Sequence, residues 1–213
     1  MPCSQRSLRS PLRVFALGGL AAALLWPSDR RLEAAQRPAW RVVRGDVRVL
    51  CPMTVGGSFE ARTRSLTGTL SLAAAHPDTL DGELSVELDR LDTGIALRDE
   101  HLRDGYLEVG KDPGFVKAVL SGIQLPDADA ETFQGRTRFS GTFQLHGARR
   151  QVLGQAEIRR QGSRVRVEAS FPVTLADYGI AKPQYLGVGV KEQVRVEVTL
   201  LAEPEPASSG ASR

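Results

Sequence analysis

Apolar and polar residues alternate with a period of two along most of the chain from residue 40 onward. Successive side chains of a β-strand point to opposite faces, so this alternation predicts strands that each have one apolar face. The runs predict roughly eight or nine strands. Their apolar sets begin at Leu66, Leu84, Phe139, Val152, Val165 and Val194.

Short turn segments separate the runs, among them residues 56–57, 76–82, 127–131, 146–150 and 161–163. Connections this short are typical of antiparallel neighbours, because parallel strands need a long crossover. Antiparallel strands with one apolar face either pack as two sheets or close into a barrel, and closure removes the exposed edges. The pattern therefore predicts an all-β antiparallel domain and leaves both the sandwich and the barrel open.

Residues 95–107 interrupt the alternation with helical spacing, which predicts one helical insertion with Asp92 or Thr93 as its N-cap. The apolar residues of this insertion are Ile95, Leu97, Leu102 and Tyr106. Residues 175–189 are rich in glycine and predict a long ordered loop. The Pro, Ser and Gly content of residues 203–213 predicts a disordered tail.

The first 35 residues differ from the rest of the chain. Three arginines precede an uncharged apolar run over residues 14–26, an order that predicts an export signal peptide and a periplasmic protein. The run is shorter than the roughly 20 residues of a permanent transmembrane helix, so a retained anchor is the weaker alternative. The predicted organisation is a leader (1–35), a β-barrel domain (36–202) and a tail (203–213).

The positive net charge belongs to the leader. Residues 1–35 hold five of the 28 Lys and Arg residues and two of the 25 Asp and Glu residues, which leaves 23 of each sign in the remainder. A domain without a basic excess lacks the charge that binding phosphates requires, so a nucleic-acid partner is not expected.

Candidate chemistry in the domain is sparse. Cys51 lies on the apolar face of an alternating run and is expected to be buried. His76 and His146 lie in turns and His101 in the helical insertion, without metal-ligand spacing between them. Asp99 and Glu100 are adjacent, and adjacent residues of a helix point in different directions. We therefore expect no metal, no cofactor and no catalytic residue, and hence a protein that is not an enzyme.

The inward face is the remaining candidate site. A barrel of about eight strands is either filled by side chains or holds one small ligand. We expect Gly68, Gly141 and Gly154 to leave volume unfilled. Close packing of the same residues in a sandwich core is the alternative. The predicted pocket residues are Leu70, Leu84, Val86, Phe139, Phe143, Val167 and Phe171 inside, with Tyr106, Tyr178 and Tyr185 near a mouth.

One segment carries a family resemblance. TGIALRDEHLRDGYLEVGKDP (93–113) resembles the TGN…RDxHLRS…FFDVxxYP segment of the YceI-like proteins. GGSFEA (56–61), GTFQLHGARRQV (141–152) and the segment 171–198 are similar to three further motifs of that family, in the same order.

The resemblance implies an exported, lipocalin-like, eight-stranded antiparallel barrel that binds polyisoprenoids or other long-chain lipids, with a helix after the fourth strand. The family's helical motif falls on Arg98, Asp99, His101, Leu102 and Arg103. Leu97, Leu102 and Tyr106 are expected to close one end of the barrel as a plug, and the charged residues around them to fix it by salt bridges and loop hydrogen bonds. The inward register of residues 115–123 stays open.

The sequence thus favours an exported, non-enzymatic lipid-binding protein that holds a polyisoprenoid or a fatty-acid derivative in its barrel. The alternative is a stress-response or interaction module with a filled interior. An isomerase or hydrolase would need a titratable group such as Asp99 or His101 facing the cavity. A transient contact with a membrane or an envelope protein, and a homodimer, are further partner hypotheses.

Overall fold

The computed structural model describes residues 38–74, 76–182, 184–185 and 188–205, without the side chains of 184, 185 and 188. The predicted leader and residues 206–213 of the predicted tail lie outside the described residues. All described residues belong to one compact unit, Gln36–Arg213.

Strands make up most of this unit. They are β1 (Ala39–Pro52), β2 (Ser58–Thr63), β3 (Thr67–Leu72), β4 (Thr79–Glu87), β5 (Lys117–Gln124), β6 (Gly135–Leu145), β7 (Ala148–Gln161), β8 (Arg164–Thr174), β9 (Gln184–Tyr185), β10 (Val188–Gly189) and β11 (Gln193–Pro204). The helical elements are α1 (Ala96–Glu100), a π-helical turn (His101–Tyr106) and three 3₁₀ turns (Leu88–Arg90, Pro113–Phe115 and Leu175–Tyr178).

The main sheet closes on itself. Its strands pair antiparallel with their neighbours in the order β11-β8-β7-β6-β5-β4-β3-β1-β2, and β1 also pairs with β11. Because β11 occupies one edge of β1, β2 and β3 share the other edge, where they pair with residues 47–52 and 39–41. They act as one bent strand, so the barrel has eight strand positions. The predicted eight-stranded antiparallel barrel is confirmed, and the sandwich alternative is wrong.

Residues 88–116, which we call the lid, cover one end of this barrel. We call it the top end, because β1 ends there at Pro52. The last β4–β5 pair is Glu87 with Lys117, whereas β2 continues past that level to Ser58. The lid fills the resulting step in the wall, and the backbones of Arg62 and Asp92 exchange hydrogen bonds of 2.8 and 2.9 Å.

The helix in the lid begins later than its predicted cap. Asp92 pairs in the sheet, and its carboxylate accepts a hydrogen bond from the Gly94 N–H (2.6 Å), so the chain is still in a turn there. Ile95 is the N-cap residue, without a side-chain hydrogen bond. The expected cap at Asp92 or Thr93 is therefore wrong, but the predicted helical insertion after the fourth strand is confirmed.

The connection from β8 to β11 lies at the same end as the lid. The Thr54 N–H donates to the Gly189 carbonyl (2.8 Å) and the Lys191 N–H to the Pro52 carbonyl (2.7 Å), which attaches the connection to the end of β1. At the opposite, bottom end, β11 runs to Pro204 and Glu203 pairs with Arg41. The first two residues of the predicted tail thus belong to the barrel.

No helix among the described residues is long and apolar enough to span a bilayer.

Candidate functional site

An apolar cavity runs through the barrel in two compartments. The upper compartment, under the lid, has a cavity volume of about 150 Å³, and the lower compartment has about 120 Å³. Four residues line both compartments and form a waist between them: Leu84, Leu120, Phe171 and Val198. Among the described wall residues, polar side-chain atoms come only from Cys51 and Tyr106 above the waist and from Trp40 and Arg160 below it.

All seven side chains predicted to face inward lie on this wall. Val86 and Phe143 line the upper compartment, Leu70, Phe139 and Val167 line the lower one, and Leu84 and Phe171 line both. The register left open in β5 is resolved, because Ala118 and Leu120 line the cavity. Phe115 instead stacks on His146, with ring centroids 3.9 Å apart.

The predicted role of the glycines was wrong, because they permit close packing and do not create the cavity. A Cβ atom on Gly154 would lie 2.5 Å from Phe139 Cε1, so the phenyl ring occupies the place of a side chain. At Gly141 the Leu120 side chain fills the corresponding space, and at Gly68 the backbone of Glu83 does so.

The three tyrosines have different positions. Tyr106 lines the upper compartment from the lid. Tyr178 was expected at a mouth, but it is only 3% exposed, and its ring meets Phe143 edge-on at 5.8 Å, outside both walls. The 3₁₀ turn at Leu175–Tyr178 places the Tyr178 side chain beneath the β8–β11 connection. This burial raises the pKa of Tyr178. The side chain of Tyr185 lies outside the described residues.

The underside of the lid is apolar, but its residues differ from those expected. Leu102 and Tyr106 line the upper compartment as predicted, together with Leu88, Leu91 and Leu107. Leu97 was expected to help close the end, yet it is 61% exposed. It lies in the first turn of α1, on the side away from the barrel.

The charged residues of the motif were expected to fix the lid by salt bridges and loop hydrogen bonds. Asp99 forms such hydrogen bonds, but Arg98, Asp99, Glu100 and Arg103 form no ion pair within the described part of the chain. The Arg98 guanidinium lies over the Phe59 ring, 4.6 Å from its centroid. Asp99 accepts hydrogen bonds from the Thr93 hydroxyl (2.6 Å) and N–H (2.8 Å), which holds its pKa below the ordinary value. Neither Asp99 nor the exposed His101 lines the cavity.

His146, which sequence reasoning left without a role, ties the top end together. Its Nε2 lies 3.4 Å from Glu108 Oε2 on the lid, and its Nδ1 lies 3.1 Å from the Tyr178 carbonyl on the β8–β11 connection. The ring also stacks on Phe115. One largely buried imidazole in the β6–β7 turn, with 12% of its side chain exposed, therefore contacts both segments that cover the top end.

The geometry around His146 is strained. His146 and Glu108 have positive φ values of 49° and 50°, a conformation that is uncommon for residues other than glycine. Glu108 also pairs with Lys111. The contact with Lys111 and, to a smaller extent, that with His146 hold the Glu108 pKa below its ordinary value.

Cys51 is buried as predicted and lies on the wall of the upper compartment. Burial raises the pKa of its thiol to about 11, so the uncharged form persists at neutral pH.

Arg160 holds the bottom end and was also missed by sequence reasoning. Its guanidinium donates to the carbonyls of Ala130 (2.9 Å) and Phe133 (3.4 Å) and lies 5.8 Å from the Trp40 ring centroid. It thereby fixes the β5–β6 connection, whose Leu125 and Ala130 line the lower compartment.

A closed antiparallel barrel with a lid and an apolar interior is the architecture that the motif resemblance implied, and comparison with known proteins supports it. The sequence profile of the YceI-like domain matches residues 40–202. This chain belongs to the YceI-like family. A UPF0312 protein of Pseudomonas paraeruginosa is 26% identical over 121 residues, which is 56% of this chain and 62% of the relative's length.

Two solved structures share the YceI-like fold. A polyisoprenoid-binding domain from Saccharophagus degradans, implicated in plant cell wall breakdown, has a TM-score of 0.60 at 17% identity, over 78% of this chain and 98% of that domain. BcnA of Burkholderia cenocepacia has a TM-score of 0.57 at 12% identity, over 74% of this chain and 95% of BcnA. At these identities the likeness establishes the fold alone.

Proposed function

We propose that this YceI-like protein is an exported, non-enzymatic carrier that holds one long apolar chain, a polyisoprenoid or a fatty-acid derivative, along the barrel axis. The observation that carries the proposal is the wall of the cavity, whose described side chains are apolar apart from the four named above. The polyisoprenoid-binding domain from Saccharophagus degradans, which has the same fold, adds support.

The energetics suit such a ligand. Burial of apolar carbon contributes about 0.8 kcal/mol per methylene, so roughly ten buried carbons contribute about 8 kcal/mol before ordering costs. A chain that occupies both compartments has to pass the waist. Selectivity then depends on chain thickness and length.

The wall argues against chemistry on the ligand. Its described titratable side chains are Cys51, Tyr106 and Arg160, and Cys51 is held in its uncharged form. Acid–base catalysis usually needs a group whose pKa lies near the operating pH. Asp99 and His101, the residues on which an enzymatic alternative depended, lie off the wall.

Export to the periplasm is the second part of the proposal. It is supported by the order of the first 35 residues, with arginines before an uncharged run at 14–26. N-terminal sequencing of the protein recovered from a periplasmic extract tests it, and a chain found in the cytoplasm with its leader intact would contradict export.

A displacement assay tests carriage. A fatty acid with an environment-sensitive fluorophore should become bright on binding the barrel, and added polyisoprenol should displace it. Val198→Phe adds volume at the waist and should weaken binding at least tenfold. Val43→Phe adds the same ring at a position that is 45% exposed and should leave binding unchanged. Circular dichroism confirms that both variants fold. Equal binding by both variants would contradict a ligand inside the barrel.

A further inference from the structure

The lid contains four consecutive uncharged residues that are all exposed, Gly94, Ile95, Ala96 and Leu97. Ile95 is 49% exposed and Leu97 is 61% exposed. Single exposed apolar residues are common on protein surfaces, but a run of this length is a liability unless the surface binds something.

A second exposed, uncharged segment lies beside the first. Residues 54–57 form the turn between β1 and β2, and Val55 at its tip is 70% exposed. The lid runs along β2 toward this turn, since Asp92 pairs with Arg62 and Arg98 lies over Phe59, nearer the turn. We call the two segments 54–57 and 94–97 the rim.

A third segment adjoins the rim. The β9–β10 hairpin is attached to the turn, because the Gly189 N–H donates to the Thr54 hydroxyl at 3.0 Å. Residues 184–190 of this hairpin contain no charged residue. The hydrogen bond between Gly189 and Thr54 therefore joins the turn of the rim to the β8–β11 connection.

The run 94–97 of the rim is close in sequence to the cavity wall. Leu91 precedes the run 94–97 and Leu102 follows it, and both line the upper compartment. The exposed run 94–97 thus lies between two residues of the cavity wall, separated from them by residues 92–93 on one side and by residues 98–101 on the other.

We propose that the rim is a docking surface for a lipid bilayer, through which the barrel exchanges its cargo. The proposal rests on the proposed function, because a long apolar chain has to leave a membrane to enter the barrel. Crossing water would expose the apolar chain to solvent, whereas a rim seated at the interface keeps the chain covered. A bilayer therefore fits the rim better than a second copy of this chain, which would block the path to the cavity.

Vesicle flotation tests the docking surface. The probe is a vesicle of phosphatidylethanolamine and phosphatidylglycerol, and the rim variant combines Val55→Gln, Ile95→Gln and Leu97→Gln. The control combines Val43→Gln and Leu153→Gln, which alter side chains 45% and 72% exposed on β1 and β7, away from the rim. Burying one large aliphatic side chain changes an equilibrium by about tenfold or more. The rim variant should therefore bind vesicles at least tenfold more weakly, and the control should bind like the parent.

Both the full chain and residues 36–213 should be measured, because residues 14–26 can bind vesicles by themselves. The shorter chain keeps every strand pairing of the barrel, since these pairings lie within residues 39–204. Equal flotation of the rim and control variants would overturn the proposal. The proposal would also be overturned if neither protein floats, the parent is a dimer and the rim variant is a monomer, because the rim would then bind a second copy.

Ligand content separates this proposal from carriage. A rim variant that retains a bound lipid in native mass spectrometry but no longer floats supports docking as a separate property. If the parent protein never contains a lipid but floats in a rim-dependent way, the docking proposal is supported and only the carriage proposal is contradicted.

Discussion

His146 and Glu108, two residues with left-handed backbone conformations, face each other across the top of the barrel, with Nε2 and Oε2 3.4 Å apart. One belongs to the β6–β7 turn and the other to the lid. Strained conformations of this kind persist only where the surroundings hold them. Here they bring an imidazole that stacks on Phe115 close to a carboxylate. The contact fixes the far end of the lid, as the Arg62–Asp92 pairing fixes its beginning.

Replacing His146 should loosen the lid. His146→Ala removes the stacking on Phe115 and the contacts to Glu108 and the Tyr178 carbonyl, and we expect a loss of about 1–3 kcal/mol in the free energy of unfolding. Release of a bound fluorescent fatty acid should also become faster. His101→Ala is the matched control, because His101 is exposed on the same lid and should affect neither quantity. Equal effects of the two substitutions in urea denaturation would refute the role of His146.

The Glu108 carboxylate should give the lid an acid-sensitive contribution to stability. Its pKa is lower in the folded protein than its ordinary value of 4.5, so the contribution is present above that value and is lost as the pH falls through the folded pKa. Melting temperatures should be measured at a pH above the ordinary value and at a pH below the folded pKa. On acidification they should fall less in Glu108→Gln than in the parent. Glu100→Gln, at an exposed lid position, should behave like the parent, and an identical acid response in all three proteins would count against the contact.

Gly154 should tolerate no side chain. A Cβ at this position would lie 2.5 Å from both Phe139 Cε1 and the Ser170 carbonyl oxygen, so Gly154→Ala should cost about 1–3 kcal/mol of stability through overpacking. Gly105 has open space around it and no positive φ, and Gly105→Ala should be neutral or slightly stabilising. Thermal melts of the two variants provide the comparison, and a neutral Gly154→Ala would contradict the close packing of Phe139 and the Ser170 carbonyl against this glycine.

Cys51 should be unreactive in the folded barrel. With a thiol pKa of about 11, roughly one molecule in a thousand carries the thiolate at pH 8, and the group is also buried. Ellman's reagent should therefore react slowly with native protein and rapidly in guanidinium. Fast labelling of the native protein would mean that the lid opens frequently enough to expose the upper compartment.

The wall of the cavity could be predicted because it depends on a local rule. Alternation assigns a face to each strand residue, and the seven inward positions from Leu70 to Phe171 follow from it once the sheet closes. The helical insertion could be placed for a similar reason, since it breaks the alternation. The register of β5 could not, because a register shift in its pairing with β4 interrupts the pattern.

The contacts that hold the ends of the barrel depend on residues far apart in the chain. His146 was assigned to a turn and His101 to the motif, yet the Glu108 and Tyr178 contacts of His146 span 38 and 32 positions of sequence, which no local pattern reveals. The one local signal was a histidine before Gly147 in a tight hairpin, where a left-handed backbone is common. The exposure of Leu97 was missed for the converse reason, because helical spacing does not say which side faces the barrel.

Native mass spectrometry of the protein purified from its own cell envelope tests the central claim most directly. The account predicts a complex of one barrel with one long-chain lipid, and a ligand-free Val198→Phe variant that carries an extra ring at the waist. A ligand-free parent that also takes up no added isoprenoid or fatty amide would contradict the account.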